Sequence, residues 1–543
     1  MHRPEVLRPI TAKHAAASRL INDVPMIRSF LTVSTGTLAS RLLGFLRDSM
    51  IAALLGTGAG ADAFLVAFQL VNVVRRLLTE GALNAALVPA WLRLRETEGT
   101  VAAAAFAGRV LGTVSAALIL AAALIGLAMP LVITALAPGF AGQATLQLAV
   151  NDARLMLPYL AFAGPATVML ALASAQGRFA LTAFSPLLFN IALIAVMTGL
   201  MVAKRDSGFI APVLAATVGV AGLLQLLVLV LRRRGDSFAA PLRVSFAPEM
   251  RGFFIRAVPG MVANSGPQLL IVGGAIIASS SPSAVSWLYF ANRLIELPLG
   301  IVGVAMGTVL VREMTHALRG GDKAAIAHAE SRALELAAGL ALPATLGLIV
   351  LREPIVRLLF EHGAFTAADT AATAQALMWL ALGLPAHVLV KALSPAFFAR
   401  EDTLTPLKAT LKGLFVAIIA AFLLDRLFGA SGIAAAIALS AWSNALSLIR
   451  RGRTTFGFSI DVAARRRLPR IAAAAFLMGG LLWLAAAASF APQAHSLAQA
   501  ILLALSICGG MVLYAALLAL FGVTNWREAG DAIRGSPPPD LRA

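Results

Sequence analysis

The chain has 543 residues, 59% of them hydrophobic and only 13% charged, with a formal net charge of +18. A water-soluble domain carries roughly a quarter charged residues, and so few polar groups could not cover a soluble surface, so the bilayer is the solvent for most of the chain. The single cysteine, Cys508, excludes an internal disulfide and a cysteine-built metal cluster; within an apolar run it reads as a small buried hydrophobe.

Residues 1–28 are polar and basic (Arg3, Arg8, Lys13, Arg19, Arg28) and have no apolar core before Phe30, so they are not a cleavable signal peptide. They read as a disordered basic cytoplasmic extension, or as an over-extended start with Met26 the initiator. Runs of ~20 apolar residues broken by Gly, Pro or charge then give about fourteen expected transmembrane helices. These lie at 30–54, 61–90, 102–129, 146–174, 181–203, 209–231 and 252–278, then at 284–311, 331–351, 370–397, 407–427, 431–449, 469–490 and 497–521. Charge interrupts several of them, so hydropathy alone undercounts the first and second.

Loop charge tests the count. Basic residues gather in alternate loops: Arg93 and Arg95; Arg178; Arg232, Arg233, Arg234, Arg243 and Arg251; Arg319, Lys323 and Arg332; Arg400 with Lys408; and the run from Arg450 to Arg470. The loops near 55–60, 130–145, 279–283 and 491–496 hold no Lys or Arg; the exceptions on that side are Lys204, Arg205, Arg352, Arg357 and Arg426. The positive-inside rule then places both termini in the cytoplasm. Short basic clusters between apolar runs suit anionic lipid, not nucleic acid. All loops on the opposite side are short, so the chemistry belongs within the membrane.

A weak internal repeat accompanies this pattern. Arg76 with Glu80 resembles Arg293 with Glu296, and Arg178 before Ser185-Pro186 resembles Arg400 before Thr405-Pro406, at offsets of 217 and 222 residues. Six helices fit that interval, so the halves share an orientation, as in two-lobed transporters with a site between lobes. The expected organisation is an extension at 1–28, a first lobe at 29–232, a second lobe at 233–450, a C-terminal helix pair at 451–523 and a cytoplasmic tail at 524–543.

A charge at the bilayer centre costs about 2.5–3.5 kcal/mol on insertion scales, so charges there face a cavity or a partner. The first helix carries Arg41, Arg47 and Asp48, with Arg41 and Asp48 on one face and Gly44 between them. The second carries Asp62, Gln69, Asn72, Arg75, Arg76 and Glu80; the eighth Asn292, Arg293 and Glu296; the tenth His387 and Lys391. Each pair could merely pin helices together, and His387 beside Lys391 makes no metal site. Jointly, five arginines against fewer acids leave positive charge in the membrane, which calls for a water-filled cavity or an anionic ligand. The planar guanidinium fork suits diphosphate. Glycines at 36, 44, 56, 58, 60, 300, 303 and 307 permit either helix motion or close packing. No P-loop, zinc-spaced His/Glu set or serine–histidine constellation is present, so neither catalysis nor a cofactor is expected.

The stretch Ser40-Arg41-Leu-Leu-Gly44-Phe-Leu-Arg47-Asp48, Ala61-Asp62-Ala63-Phe64, Asn72 through Ala82 and Val88-Pro89 resembles the MurJ (MviN) lipid II flippases. Ala137-Pro138-Gly139-Phe140, Ser286-Trp287, Tyr289, Arg293, Glu296, Phe360 to Thr366, Lys391, Arg400, Asp402, Thr403 and Pro406 extend the resemblance, which runs from about Met26 onward and is weakest over the last two helices. It implies an all-α membrane protein of the multidrug/oligosaccharidyl-lipid/polysaccharide exporter superfamily, with two six-helix lobes in a V and two extra C-terminal helices. It implies lipid II as substrate, Arg41, Arg47 and Arg293 as diphosphate ligands, Arg75, Arg76 and Glu80 as cavity residues, and Asp62 as part of a gate. Asp48, Glu296 and Lys391 are further candidates for conformational roles. Val71, Asn292 and Arg312 depart from the family pattern, where Pro, Asp and Pro are usual; the loss of an acid at Asn292 leaves Glu296 to pair Arg293.

The expected function is alternating-access flipping of lipid II in the bacterial inner membrane for cell wall synthesis. Lipid II and membrane lipids are the expected partners, with cell-wall synthesis proteins as further candidates. An exporter of another polyprenyl-linked oligosaccharide, or of cationic drugs, shares the fold; the drug reading wants acidic and aromatic cavity residues, and only three Tyr occur. A polyprenyl-phosphate glycan enzyme would need an essential acid among Glu353, Glu361 and Asp369.

Overall fold

The computed structural model describes residues 35–79, 82–231, 239, 242–245, 247–248, 250–255, 266–305, 323–398, 400, 402–489 and 497–523. The expected extension at 1–28, Glu80, Arg312 and the tail from 524 lie outside the described residues. Among those described, the regular structure is helical and contains no strand.

The helices are α1 (35–55), α2 (Ala59–Thr79), α3 (Ala82–Thr97), α4 (Gly99–Leu127), α5 (Met129–Leu136), α6 (Ala144–Met156), α7 (Pro158–Ala175), α8 (Phe179–Ala203) and α9 (Ser207–Leu231). After a short helical stretch at 250–255 come α10 (Gly266–Ala278), α11 (Ala284–Ala305), α12 (Lys323–Val350), α13 (Arg352–Phe360) and α14 (Ala367–Phe398). The chain closes with α15 (Leu404–Phe428), α16 (Ala430–Phe456), α17 (Val462–Ser489) and α18 (Leu497–Leu520). Every expected span falls on one or two of these. The span at 146–174 divides into α6 and α7 because Pro158, which lacks an N–H, fits only the first turn of a new helix.

Among the described residues, ten helices are long and apolar enough to cross a membrane. Four expected spans fall outside those ten. The first, second and eighth are helical over their described residues but carry charged residues in place of apolar ones; the seventh, 252–278, lies partly outside the described residues. The packing follows from the bilayer as solvent. The spans Ala144–Ala175 and Ala367–Phe398 are the most enclosed, each 61% buried, while Leu497–Leu520 is only 17% buried. Large apolar side chains such as Phe415, Phe422, Trp483 and Leu520 point outward, as lipid-facing residues do. Cys508 corrects the sequence reading: it is exposed on α18, not buried, since an apolar run in a membrane protein can be covered by lipid instead of protein.

The repeat is legible in the helix boundaries. The spans Gly99–Leu127, Ala144–Ala175, Ala180–Ala203 and Gly208–Leu231 recur as Ala324–Val350, Ala367–Phe398, Leu404–Phe428 and Ala430–Phe456, each boundary shifted by 222 to 225 residues. This agrees with the offset of 222 between Arg178 and Arg400 and displaces the offset of 217. Arg293 is therefore the counterpart of a position near Gln69, about two helical turns before Arg76. Two turns return a residue to the same helix face, which is why the shorter offset looked persuasive.

One end of the bundle is pinned shut by related contacts. A methyl on Gly139 would strike the Ser279 carbonyl, and a methyl on Gly363 would strike that of Ala53. The Gly139 N–H donates to Ser279 Oγ at 3.0 Å, and the Ala364 N–H donates to Ala53 O at 2.8 Å. Gly139 and Gly363 occupy equivalent places in the repeat, and so, within two residues, do Ala53 and Ser279. Gly363 also has φ near +60°, where a side chain is strained. Further links at this end run from Thr57 Oγ1 to Asp369 Oδ1 at 2.5 Å, from Trp287 Nε1 to the same oxygen at 3.3 Å, and from Ser281 Oγ to Asp425 Oδ1 at 2.7 Å.

Candidate functional site

Three charged helices meet inside the bundle. On α1, Asp48 is fully buried. Its neighbour Arg47 folds back onto it, with Nη2 2.6 Å and Nε 2.9 Å from Oδ1. The same guanidinium donates to Asn190 Oδ1 on α8 at 3.0 Å and lies over the Phe68 ring of α2, 5.0 Å from its centre. From α11, Arg293 brings Nε to 2.6 Å from Asp48 Oδ2, a charge contact in which the N–H is not aimed at the oxygen. Tyr289 donates its hydroxyl to Asp48 Oδ1 at 3.2 Å. Arg293 Nη1 donates to Glu296 Oε2 at 2.8 Å, and Arg76 Nη2 from α2 reaches Glu296 Oε1 at 3.3 Å.

The result is a line of alternating charge, Arg47–Asp48–Arg293–Glu296–Arg76, across α1, α11 and α2. It has a closed end and an open one. The Asp48 and Arg47 side chains are 0% and 9% exposed, whereas those of Arg293, Glu296 and Arg76 are 20%, 27% and 28% exposed. Desolvated carboxylates hold Arg47 and Arg293 in place, because an unpaired buried charge is strongly unfavourable. The exposed part is where an incoming anion can compete with Glu296 for two guanidinium groups.

Arg41 stands differently. It is exposed and makes no ion pair among the described residues, and its guanidinium rests against Gly300 of α11, where any side chain would collide with it. Gly44 likewise leaves room for Arg293, whose Nη2 would sit 2.8 Å from an added methyl. These two glycines are seats for guanidinium groups, a role beyond the motion or packing that the sequence allowed.

The other expected residues distribute as follows. Arg75, next to Arg76, donates to Asn72 Oδ1 at 3.3 Å and lines a separate cavity within the first half. Asp62 sits toward the pinned end, buried, and accepts hydrogen bonds from the Ser286 N–H at 2.9 Å and its Oγ–H at 2.5 Å. Lys391 is exposed on α14, one turn after His387. Glu80 lies outside the described residues; Arg76 pairs with Glu296 across helices. The sequence reading expected the five arginines jointly to leave net positive charge; Arg47 and Arg293 are both paired, and Asp48 is their common partner. It passed over Asn190, which could have been found as a lone amide in the apolar run of α8.

This arrangement belongs to a recognisable group. The family described as "Lipid II flippase MurJ" matches residues 51–503. A relative in Rhizobium meliloti (strain 1021), described as "Probable lipid II flippase MurJ", is 37% identical over 519 residues, covering 94% of this chain and 95% of its own length. The chain belongs to the MurJ lipid II flippase family. Another member, the lipid II flippase MurJ of Burkholderia cenocepacia, is 32% identical over 473 residues, covering 84% of this chain and 89% of its own. In fold, the chain is similar to a solved lipid II flippase MurJ in an inward closed conformation, with TM-score 0.74, 21% identity, and coverage of 90% and 98%. An inward-facing multidrug-resistance MATE transporter of the MOP superfamily follows, with TM-score 0.64, 14% identity, and coverage of 79% and 95%. The MurJ family is one of transporters, so the glycan-enzyme reading falls away.

Proposed function

We propose that the chain moves lipid II from the cytoplasmic to the periplasmic leaflet by alternating access, without covalent chemistry. The observation that carries this reading is the half-open charge line. Arg293 and Arg76 share Glu296 at its partly exposed end, and Arg41 makes no ion pair among the described residues. A diphosphate carries more negative charge than one carboxylate and accepts paired hydrogen bonds from guanidinium forks, so it competes with Glu296 for both arginines and draws in Arg41. Releasing Glu296 from Arg76 removes one tie between α2 and α11 and leaves the Asp62–Ser286 contact toward the pinned end. Those helices belong to opposite halves, which gives head-group capture a direct mechanical consequence.

Several finer assignments go with this reading. The chain forms a first lobe at 29–232, a second at 233–450 and a helix pair at 451–523, with about fourteen spans and both termini cytoplasmic. The recurrence of helix boundaries at one offset supports the lobes, and the distribution of basic loops supports the orientation. On that orientation, the pinned end around Ala53, Gly139, Ser279 and Gly363 is the periplasmic gate in its closed state, and Asp62 with Ser286 is part of it. Membrane potential acts on the charged helices during reset. Cell-wall synthesis proteins are natural partners for a supplier of their substrate.

The test is lipid II translocation in proteoliposomes, or in cells depleted of the native protein, with Arg41→Ala and Arg293→Ala. Both are expected to lose transport while retaining normal protein levels. Wild-type translocation in both would defeat the site assignment.

A further inference from the structure

A buried carboxylate inside the first half has no partner among the described residues. Asp152 lies on α6, eight residues or about 12 Å into the membrane span Ala144–Ala175. It is 3% exposed and shares the inward face of its helix with Ala149, Ala153 and Met156, while Asn151 and Arg154 face out. It makes no hydrogen bond and no ion pair among the described residues. The helices packed on α6 are α2, α5, α7 and α9. Their titratable groups are Asp62, Arg75 and Arg76 on α2 and Tyr159 on α7; α5 and α9 carry none, and α6 itself adds only Arg154. Asp62 bonds to Ser286, Arg75 to Asn72, Arg76 to Glu296 and Arg154 to Gly126 O, and the Tyr159 ring packs edge-on against Phe189. On α1, Arg47 and Asp48 pair with each other, and Arg41 rests against Gly300.

Packing does not call for a carboxyl here. At a shift of 224 residues the buried positions of α6 fall on those of α14, Ala149 on Thr373 and Ala153 on Leu377, and Asp152 then falls on buried Ala376. The second half fills the same place with a methyl. A carboxylate buried without a counter-charge or a hydrogen bond neutralises itself by taking a proton, and ionisable groups kept within membrane spans mark ion and proton pathways.

We propose that Asp152 is a proton-binding site, occupied in this closed arrangement and emptied when the pinned end opens. The elements beside it hold that end shut. Helix α6 follows Gly139, which is tied to Ser279, and α2 carries Asp62, which is tied to Ser286. Opening parts both contacts and admits water to the inward face of α6. One proton then passes from the carboxyl oxygen to water and leaves a hydrated carboxylate. Through this site the closed arrangement holds one proton more than the open one, so acid favours closure and alkali favours opening, by at most about tenfold per pH unit. The proton site stands on the burial of Asp152 alone, whereas its emptying rests on the alternating access proposed above.

The experiment uses the purified full-length chain in lipid nanodiscs. Infrared spectra at neutral pH should show the carbonyl band of a protonated carboxyl group, shifted by deuteration, that Asp152→Asn loses. Hydrogen exchange at residues 361–369, corrected for its intrinsic pH dependence, reads opening of the pinned end. From about pH 5 to about pH 8, opening should rise several-fold more in wild type than in Asp152→Asn, one proton allowing at most about tenfold per pH unit. The groups at the pinned end itself, Asp62, Glu361, His362 and Asp369, are common to both proteins and cancel in the comparison. Should the amide disturb folding, Asp152→Ala, which copies Ala376, serves in both measurements. The proposal is overturned if the carboxyl band is the same with and without Asp152, or if variant and wild type open with the same pH dependence. A chain that loses the band with Asp152 but fails to flip lipid II would refute the proposed function and leave the proton site standing.

Discussion

Replacing Asp48 with Asn tests the charge line at its centre. The substitution keeps the shape of the side chain and removes the one negative charge that Arg47 and Arg293 share, at 2.6 Å from each. At an effective dielectric of about 20, a charge pair some 4 Å apart interacts by about 4 kcal/mol, and most of that offsets desolvation. What remains measurable is the cost of leaving a partner buried and unpaired, about 3–5 kcal/mol when one member of such a pair is lost. Asp48 is fully buried and Arg47 nearly so, so solvent screening removes little of this. Asp48→Asn should therefore lose about 3–5 kcal/mol in reversible SDS unfolding from mixed micelles. The double variant Asp48→Asn with Arg293→Gln should recover about 0.5–3 kcal/mol relative to additivity, because it also removes a stranded cation. Wild-type stability in the single variant, or strict additivity in the double, would refute the claim that Asp48 is the common counter-charge.

Three further outcomes follow from the geometry. Gly300→Ala should fold with near-normal stability, since the colliding atoms are the mobile end of Arg41, yet lipid II translocation should fall several-fold as Arg41 is displaced; an unchanged rate would show that the seat is irrelevant. Gly363→Ala meets backbone as well as a positive φ, so it should destabilise the pinned end by about 1–3 kcal/mol, read as faster hydrogen exchange at residues 361–369. At the start of α17, the Ala464 N–H, donating at 2.6 Å, holds the Asp461 carboxyl below its ordinary range, aided by His328. The folded value being depressed, this stabilisation is complete above the unfolded value of about 3.9 and is lost as pH falls through the lower folded value. Asp461→Asn should cost about 1 kcal/mol at neutral pH, and the difference from wild type should shrink in acid; a gap that persists at pH 2 would show that charge is not involved.

The amino-acid sequence by itself settled the solvent and the class of the chain. With so little charge, apolar runs of bilayer length could only become membrane helices, and helix boundaries are local enough to be read from Gly, Pro and charge. It also disclosed the family, because the residues around Arg41, Asp48, Asp62 and Arg76 fall in one contiguous stretch. Partnership was another matter. Arg41 and Asp48 share a face, but Asp48 binds Arg47 and Arg293, and Arg76 reaches Glu296, 220 residues away, a partner that spacing along the chain does not suggest. Spacing along a helix limits which residues can share a face, whereas the neighbour across that face depends on how separate helices pack. For the same reason only the assembled bundle could show that Gly300 and Gly44 make room for arginines, that Gly139 and Gly363 close one end as a related pair, and that Cys508 faces outward. Hydrophobicity says that a residue leaves water; the tertiary structure decides whether protein or lipid receives it.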